Sequence, residues 1–212
     1  MNRLDAILQA ECPTICVPRF GEFEPLTSHG HRFLSACDGL HIEISRPWLH
    51  TILPVASSSI SLPYGEVAPR VQFRLRGLAT FVQHFINEAR QVSPNEHAAW
   101  LSVDATTGDL DYEATEVISQ SGEHIRYRRP SLASGKVLAV DCHSHGVHPA
   151  FFSGTDDTDS LDDAKLEIVV GHLGTDTPSF ACRLSFLGLS VDYSKWLTSL
   201  LYSESQYSEG VN

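Results

Sequence analysis

Val137-Leu138-Ala139-Val140-Asp141-Cys142-His143-Ser144-His145 runs a compact apolar stretch straight into two alternating histidines, and Ser153-Gly154-Thr155-Asp156 follows eight residues after His145. The apolar run reads as a buried strand. Side chains of a strand alternate between its faces, so His143 and His145 project from one side, roughly 6–7 Å apart along the chain. Cys142 and Ser144 point the other way, which makes Cys142 a small buried hydrophobe rather than a ligand. Ser153-x-x-Asp156 has the pattern of a helix start, with Ser153 at the cap and Asp156 in the first turn. A loop folding back over the strand end would aim Asp156 at the two histidines.

Two neutral imidazoles and one carboxylate leave a tetrahedral zinc ion one position short. Water in that position becomes acidic, with a pKa of about 7 in good sites. Such a water needs a base near the ion but not on it. Glu96 is the candidate, because it lies just after Pro94 and at the mouth of an expected strand over Ala98 to Asp104. Ser153 is placed to donate its hydroxyl to a developing oxyanion.

Other readings of these residues carry less. A lone H-x-H is often a structural pair. Asp157, Asp159, Asp162 and Asp163 read as a solvated acidic loop, since they lack the alternating ligands and the bidentate Glu of an EF-hand. His143-x-His145-x-x-His148 resembles the metallo-β-lactamase motif, but Val147 stands where that motif has Asp, and only 64 residues follow His148. The His-x-Asp order usual in non-haem iron oxygenases is missing. His97 and His172 read as packing or surface residues.

Outward from the motif, the chain alternates periods. Leu78, Val82, Phe85, Ile86 and Ala89 recur at three- and four-residue steps and predict a helix over 75–91, stopped by Pro94. Strands are expected over 98–104, 110–119, 124–128, 166–173 and 180–191. Residues 1–65 hold scattered prolines and short alternating runs such as His41-Ile42-Glu43-Ile44, and read as a small β-rich N-terminal extension. Residues 66–202 form the main domain, and 203–212 a polar tail that frays. This order makes a mixed α/β sheet flanked by helices.

The 212 residues are 42% hydrophobic, enough for a buried core, and carry a formal net charge of −11. An acidic surface excludes a general nucleic-acid grip and attraction to anionic membranes. Five cysteines at irregular spacings, without a CxxC pair, argue against a disulfide framework and for a reducing cytoplasm. Neither a signal peptide nor an apolar run long enough to cross a membrane is expected.

At these residues the chain resembles the JAB/MPN family with its JAMM metalloprotease signature: an upstream Glu, then H-x-H, seven residues, and S-x-x-D. Glu96, His143, His145, Ser153 and Asp156 stand on that pattern one for one. The resemblance implies a cytidine deaminase-like mixed sheet over 66–202, a Zn2+ cofactor on His143, His145 and Asp156, and catalysis by Glu96 and Ser153. Two positions depart from the pattern: Gly146 stands where JAMM deubiquitinases often have proline, and Ala99 where the family commonly has glycine. Asp38-Gly39-Leu40, Arg46-Pro47-Trp48, Leu62-Pro63-Tyr64-Gly65 and the stretch from Asp141 to Asp157 resemble the protein A family of the bacterial PRTRC cassette. Such cassettes are similar to reduced ubiquitin-conjugation systems. The resemblance implies a peptidase or isopeptidase acting on a ubiquitin-like protein, with E2-like and ThiF-like companions. The alternative it leaves is a metal-stabilised scaffold that binds such a partner without cleaving it.

Overall fold

The computed structural model describes residues 2–159 and 164–208. Asp162 and Asp163 of the expected acidic loop, and 209–212 of the expected tail, lie outside the described residues. The chain divides into two compact units, Met1–Arg74 and Leu75–Asn212.

The first unit opens with α1 (Arg3–Glu11), capped by the Asn2 side chain, which accepts the Leu4 N–H. None of its residues is buried, so the reading of 1–65 as β-rich gave no signal for it. A five-stranded sheet follows in simple order: β1 (Thr14–Cys16), β2 (Gly30–Ala36), β3 (Gly39–Arg46), β4 (Leu49–Ser57) and β5 (Arg70–Phe73). Only β1 with β2 is a parallel pair. Because β5 pairs with β4, residues 70–73 share the sheet of this unit. Val17, Leu34, Ala36 and Ile52 form its core, with Ile15, Phe23 and Val67 packed against them. Gly65 lies so close to Pro18 that a Cβ would stand 2.0 Å from the Pro18 carbonyl oxygen. That approach admits only glycine. Glu43 is fully buried and satisfied by Leu26 N–H, Arg32 Nε and His50 Nε2.

The second unit begins with α2 (Leu78–Val92), and the apolar face expected from the sequence is the buried one: Leu78, Val82, Phe85, Ile86 and Ala89. Then come β6 (Ala98–Asp104), β7 (Leu110–Ala114), β8 (Glu116–Gln120), β9 (Ile125–Arg128), β10 (Lys136–Ser144), α3 (Gly154–Asp159), β11 (Lys165–Gly171), β12 (Ser179–Phe186), β13 (Leu189–Asp192) and α4 (Ser194–Ser208). Six strands make one mixed sheet in the order β13-β12-β11-β10-β6-β7, with β10 and β11 parallel and the other pairs antiparallel. This is the expected mixed α/β architecture. Helix α2 packs on β6 and on α4, and α4 packs on β12.

Three local expectations change. The strand expected over 110–119 breaks at Thr115, whose hydroxyl donates to the Ala98 carbonyl. Beyond it β8 leaves the main sheet and pairs with β9 as a separate two-stranded ribbon. The strand expected over 180–191 turns at Leu187 and Gly188, both at positive φ. Residues 203–208, expected in a fraying tail, continue α4. Among the described residues, no helix is long and apolar enough to cross a membrane.

Register sets the two faces of the main sheet. Cys142, Ile168 and Cys182 lie in one row, and each is buried. The neighbouring row, on the opposite face, is Asp141, Glu167 and Arg183. His143 shares that second face with Asp141, two residues before it. Phe85 is completely buried on α2. Truncation there removes contacts on the sheet side, so Phe85→Ala is expected to cost about 3–5 kcal/mol, measured by chemical denaturation.

Candidate metal centre

Three segments meet at the C-terminal end of β10. The strand brings His143, and His145 follows just past its end, with ring centroids 5.2 Å apart. Between them Ser144 points into the protein and is completely buried. Its hydroxyl accepts the His97 N–H at 2.9 Å, and its own N–H donates to the His97 carbonyl at 2.9 Å. This pair of hydrogen bonds fixes the segment carrying Glu96 beside the histidine strand. His97 is held in turn by Glu88 of α2 and stacks on Phe85, which agrees with the packing role expected of it.

Gly146 completes the junction. Its φ is +53°, and a Cβ there would stand 2.3 Å from the Pro94 carbonyl oxygen. Proline cannot adopt that φ, so the departure from the JAMM pattern at this position has a local steric cause. The chain then folds back: a Cβ on Gly171 would meet Ala150 N at 2.4 Å, and His172 N–H donates to the His148 carbonyl. This return brings residues 153–156 over the strand end.

Ser153 and Asp156 form a reciprocal cap on α3. The Ser153 N–H and hydroxyl both donate to Asp156 Oδ2, at 2.6 and 2.7 Å, and the Asp156 N–H reaches Ser153 Oγ at 3.4 Å. This is the capping box with Asp in place of Glu. It turns Asp156 Oδ1 toward His143, 3.5 Å from Nε2.

Glu96 is 8% exposed and lines the same cavity of about 460 Å³ as His143, His145, Ser153 and Asp156. All five residues expected in the site therefore meet in one place. Burial, and then the Asp156 charge, push the Glu96 carboxyl up to about 7. Burial, and then the neighbouring His143, pull His145 down and favour its neutral form. The His145 Nδ1 lies 3.1 Å from the Pro149 carbonyl. A carbonyl can only accept, so Nδ1 carries the proton and Nε2 keeps its lone pair. Burial raises the Asp156 carboxyl, but His143 and the Ser153 donors outweigh it and hold the group below its ordinary value.

Whether these residues suit a metal ion turns on donor chemistry and spacing. Among the described residues, no three His, Cys, Asp or Glu side chains already form a closed metal-holding group. Two donors nevertheless stand at the right separation. Ligands at bond lengths of 2.0–2.1 Å on a tetrahedral ion lie about 3.3 Å apart, close to the 3.5 Å between His143 Nε2 and Asp156 Oδ1. The Pro149 carbonyl behind His145 is the kind of outer partner that would orient a ligating imidazole. The donor set fits a zinc-like cation.

The cavity has a second half that the sequence reading missed. Tyr127 of β9, Asp141, Lys165 and Glu167 line it. Lys165 bridges Asp141 and Glu167 at 3.2 and 3.0 Å, and the Tyr127 hydroxyl leans toward Asp141 at 3.4 Å. The signal available was alternation: Asp141 precedes His143 by two, and Lys165-x-Glu167 repeats the period in the next strand.

Residues 78–184, about half of the chain, match the model of the prokaryotic homologs of the JAB domain. The chain belongs to that family. Residues 2–74 match a domain of unknown function, DUF2016. Among solved structures, the solution structure of protein DSY2949 from Desulfitobacterium hafniense is similar at 18% identity, over 53% of this chain and 85% of that one, with a TM-score of 0.41. No curated protein matches the chain.

The raised Glu96 carboxyl has a consequence for the metal-free protein. Below about pH 4.5 the group is protonated both folded and unfolded, and contributes nothing to the pH dependence. Between about 4.5 and 7 the unfolded chain releases the proton while the native state keeps it, so stability falls as pH rises. Glu96→Gln is expected to remove this loss, which amounts to up to about 3 kcal/mol at pH 8. Denaturant titrations of both metal-free proteins at pH 4.5 and 8 measure it.

Proposed function

We propose that the second unit is a zinc-dependent peptidase or isopeptidase of the JAMM type, acting on the amide bond at the C-terminus of a ubiquitin-like protein. The observation that carries this reading is the meeting of Glu96, His143, His145, Ser153 and Asp156 in one cavity. His143, His145 and Asp156 would hold the ion. Bound there, zinc acts as a Lewis acid and makes water a nucleophile at neutral pH.

The remaining steps belong to the chain. Glu96, with its carboxyl raised to about 7, takes a proton from the attacking water as the carboxylate and returns it to the leaving amine as the acid. The Ser153 hydroxyl donates its one hydrogen bond to Asp156 Oδ2 in the resting state. Redirected to the substrate, that hydroxyl steadies the oxyanion. A cavity of about 460 Å³ suits an extended tail better than a folded surface, which favours the C-terminal tail of a small folded protein. The partners this implies are the ubiquitin-like protein of a PRTRC-type cassette, together with its E2-like and ThiF-like companions in the cytoplasm.

One observation favours a second reading, a metal-stabilised scaffold that binds the partner without turning it over. The Ser153 hydroxyl is already engaged, donating to Asp156 Oδ2.

Zinc is expected at one equivalent per chain in purified protein, and at none in His143→Ala, by elemental analysis. Glu96→Gln is expected to keep the metal while turnover falls at least a hundredfold. The substrate for both readings is the neighbouring ubiquitin-like protein fused to a C-terminal extension. Release of the extension supports the peptidase; a stable complex without cleavage supports the scaffold.

A further inference from the structure

We infer that Arg183 is a positioning residue for the proposed metal centre, on which this inference rests: it clamps α3 to the sheet and so sets where Asp156 stands relative to His143. The described part of helix α3 is six residues long, and a short helix owes most of its stability to tertiary contacts. Its capping box is internal and orients Asp156 within the helix. It does not tie the helix to the strand that carries His143.

Arg183 supplies that tie. The residue sits on β12 opposite Glu167 of β11, with its side chain 10% exposed. Three contacts of its guanidinium with described residues fix the geometry. Its Nε donates to Glu167 Oε2. Its Nη1 donates to Asp157 Oδ1 at 2.6 Å. Its Cζ lies 4.1 Å from the centre of the Phe152 ring. Phe152 and Asp157 flank Ser153 to Asp156 on either side, so one side chain from the sheet grips both ends of the capped turn.

The clamp is anchored at its base. Glu167 also accepts from Ser185 Oγ at 2.7 Å and from Lys165 Nζ at 3.0 Å, and Lys165 reaches Asp141. A row of alternating charges, Asp141–Lys165–Glu167–Arg183–Asp157, therefore runs from the strand bearing His143 to the helix bearing Asp156. The His143–Asp156 approach closes it into a ring. The guanidinium fork offers two donors and a flat face at once; an ammonium is a point charge and cannot reproduce all three contacts.

Two variants test the clamp. Arg183→Lys keeps the charge and loses the fork. Asp157→Asn takes the charge from a partner whose side chain is 66% exposed, and is expected to fold even where the buried substitution does not. Zinc affinity is read by competition with a chromophoric chelator, and hydrogen exchange at the Asp156 and Asp157 amides is read in the metal-free proteins. The expected result is about 10–100-fold weaker zinc binding in Arg183→Lys, with rescue on return to Arg. Asp157→Asn is expected to weaken zinc binding in the same direction by a smaller factor. In both variants the α3 amides lose protection while those of β11 keep theirs. Wild-type affinity and wild-type α3 protection in a folded variant would overturn the inference. Wild-type protein that takes up no zinc overturns the proposed function alone, since the exchange measurement still decides whether Arg183 holds α3.

Discussion

The two hydrogen bonds between Ser144 and His97 hold the site in place. They join the end of β10 to the segment that links α2 to β6, and they do so from the buried side of the motif. The face that remains carries His143 and His145. With Glu96 directly before His97, the position of its carboxylate follows from the contacts made by the residue between the histidines. Gly146 continues the same constraint, since only a residue without Cβ passes the Pro94 carbonyl.

The charged row on the site face follows a different logic. Lys165, Glu167 and Arg183 are all buried, and each ion there costs several kcal/mol to desolvate. Their mutual pairing offsets that cost without making the row a large source of stability. A hydrophobic face would serve the core at least as well. What the row supplies is geometry, because each donor and acceptor has a fixed direction, whereas apolar contacts tolerate sliding. The N-terminal unit uses the same device around Glu43, where an arginine, a histidine and a backbone N–H converge on one buried carboxylate.

The contrast between the two faces of the main sheet explains how one strand serves both core and chemistry. Cys142 belongs to an apolar row, and burial pushes its thiol well above the ordinary range, which keeps it inert. One residue away, His143 opens on the cavity. Strand alternation separates the two environments within a single peptide unit.

Much of this was legible in the residues themselves. The face of α2 could be read from the spacing of Leu78, Val82, Phe85, Ile86 and Ala89, because helical period and burial coincide there. The five site residues could be read because their chemistry is carried by short spacings and one distant carboxylate. Helix α1 was not read, although Leu4, Ile7 and Leu8 stand at helical spacing, and it buries none of them. The departure of β8 could not be read, since it depends on where Thr115 finds an acceptor. By itself the sequence determined which donors the site has and which strand presents the histidines, since period and side-chain chemistry are local properties. Tertiary structure alone decided that Arg183 grips Asp157 and Phe152 and that Lys165 joins Asp141 to Glu167. Such partnerships depend on cross-strand register and on where a loop returns. Those are set by packing between distant segments, which no local pattern encodes.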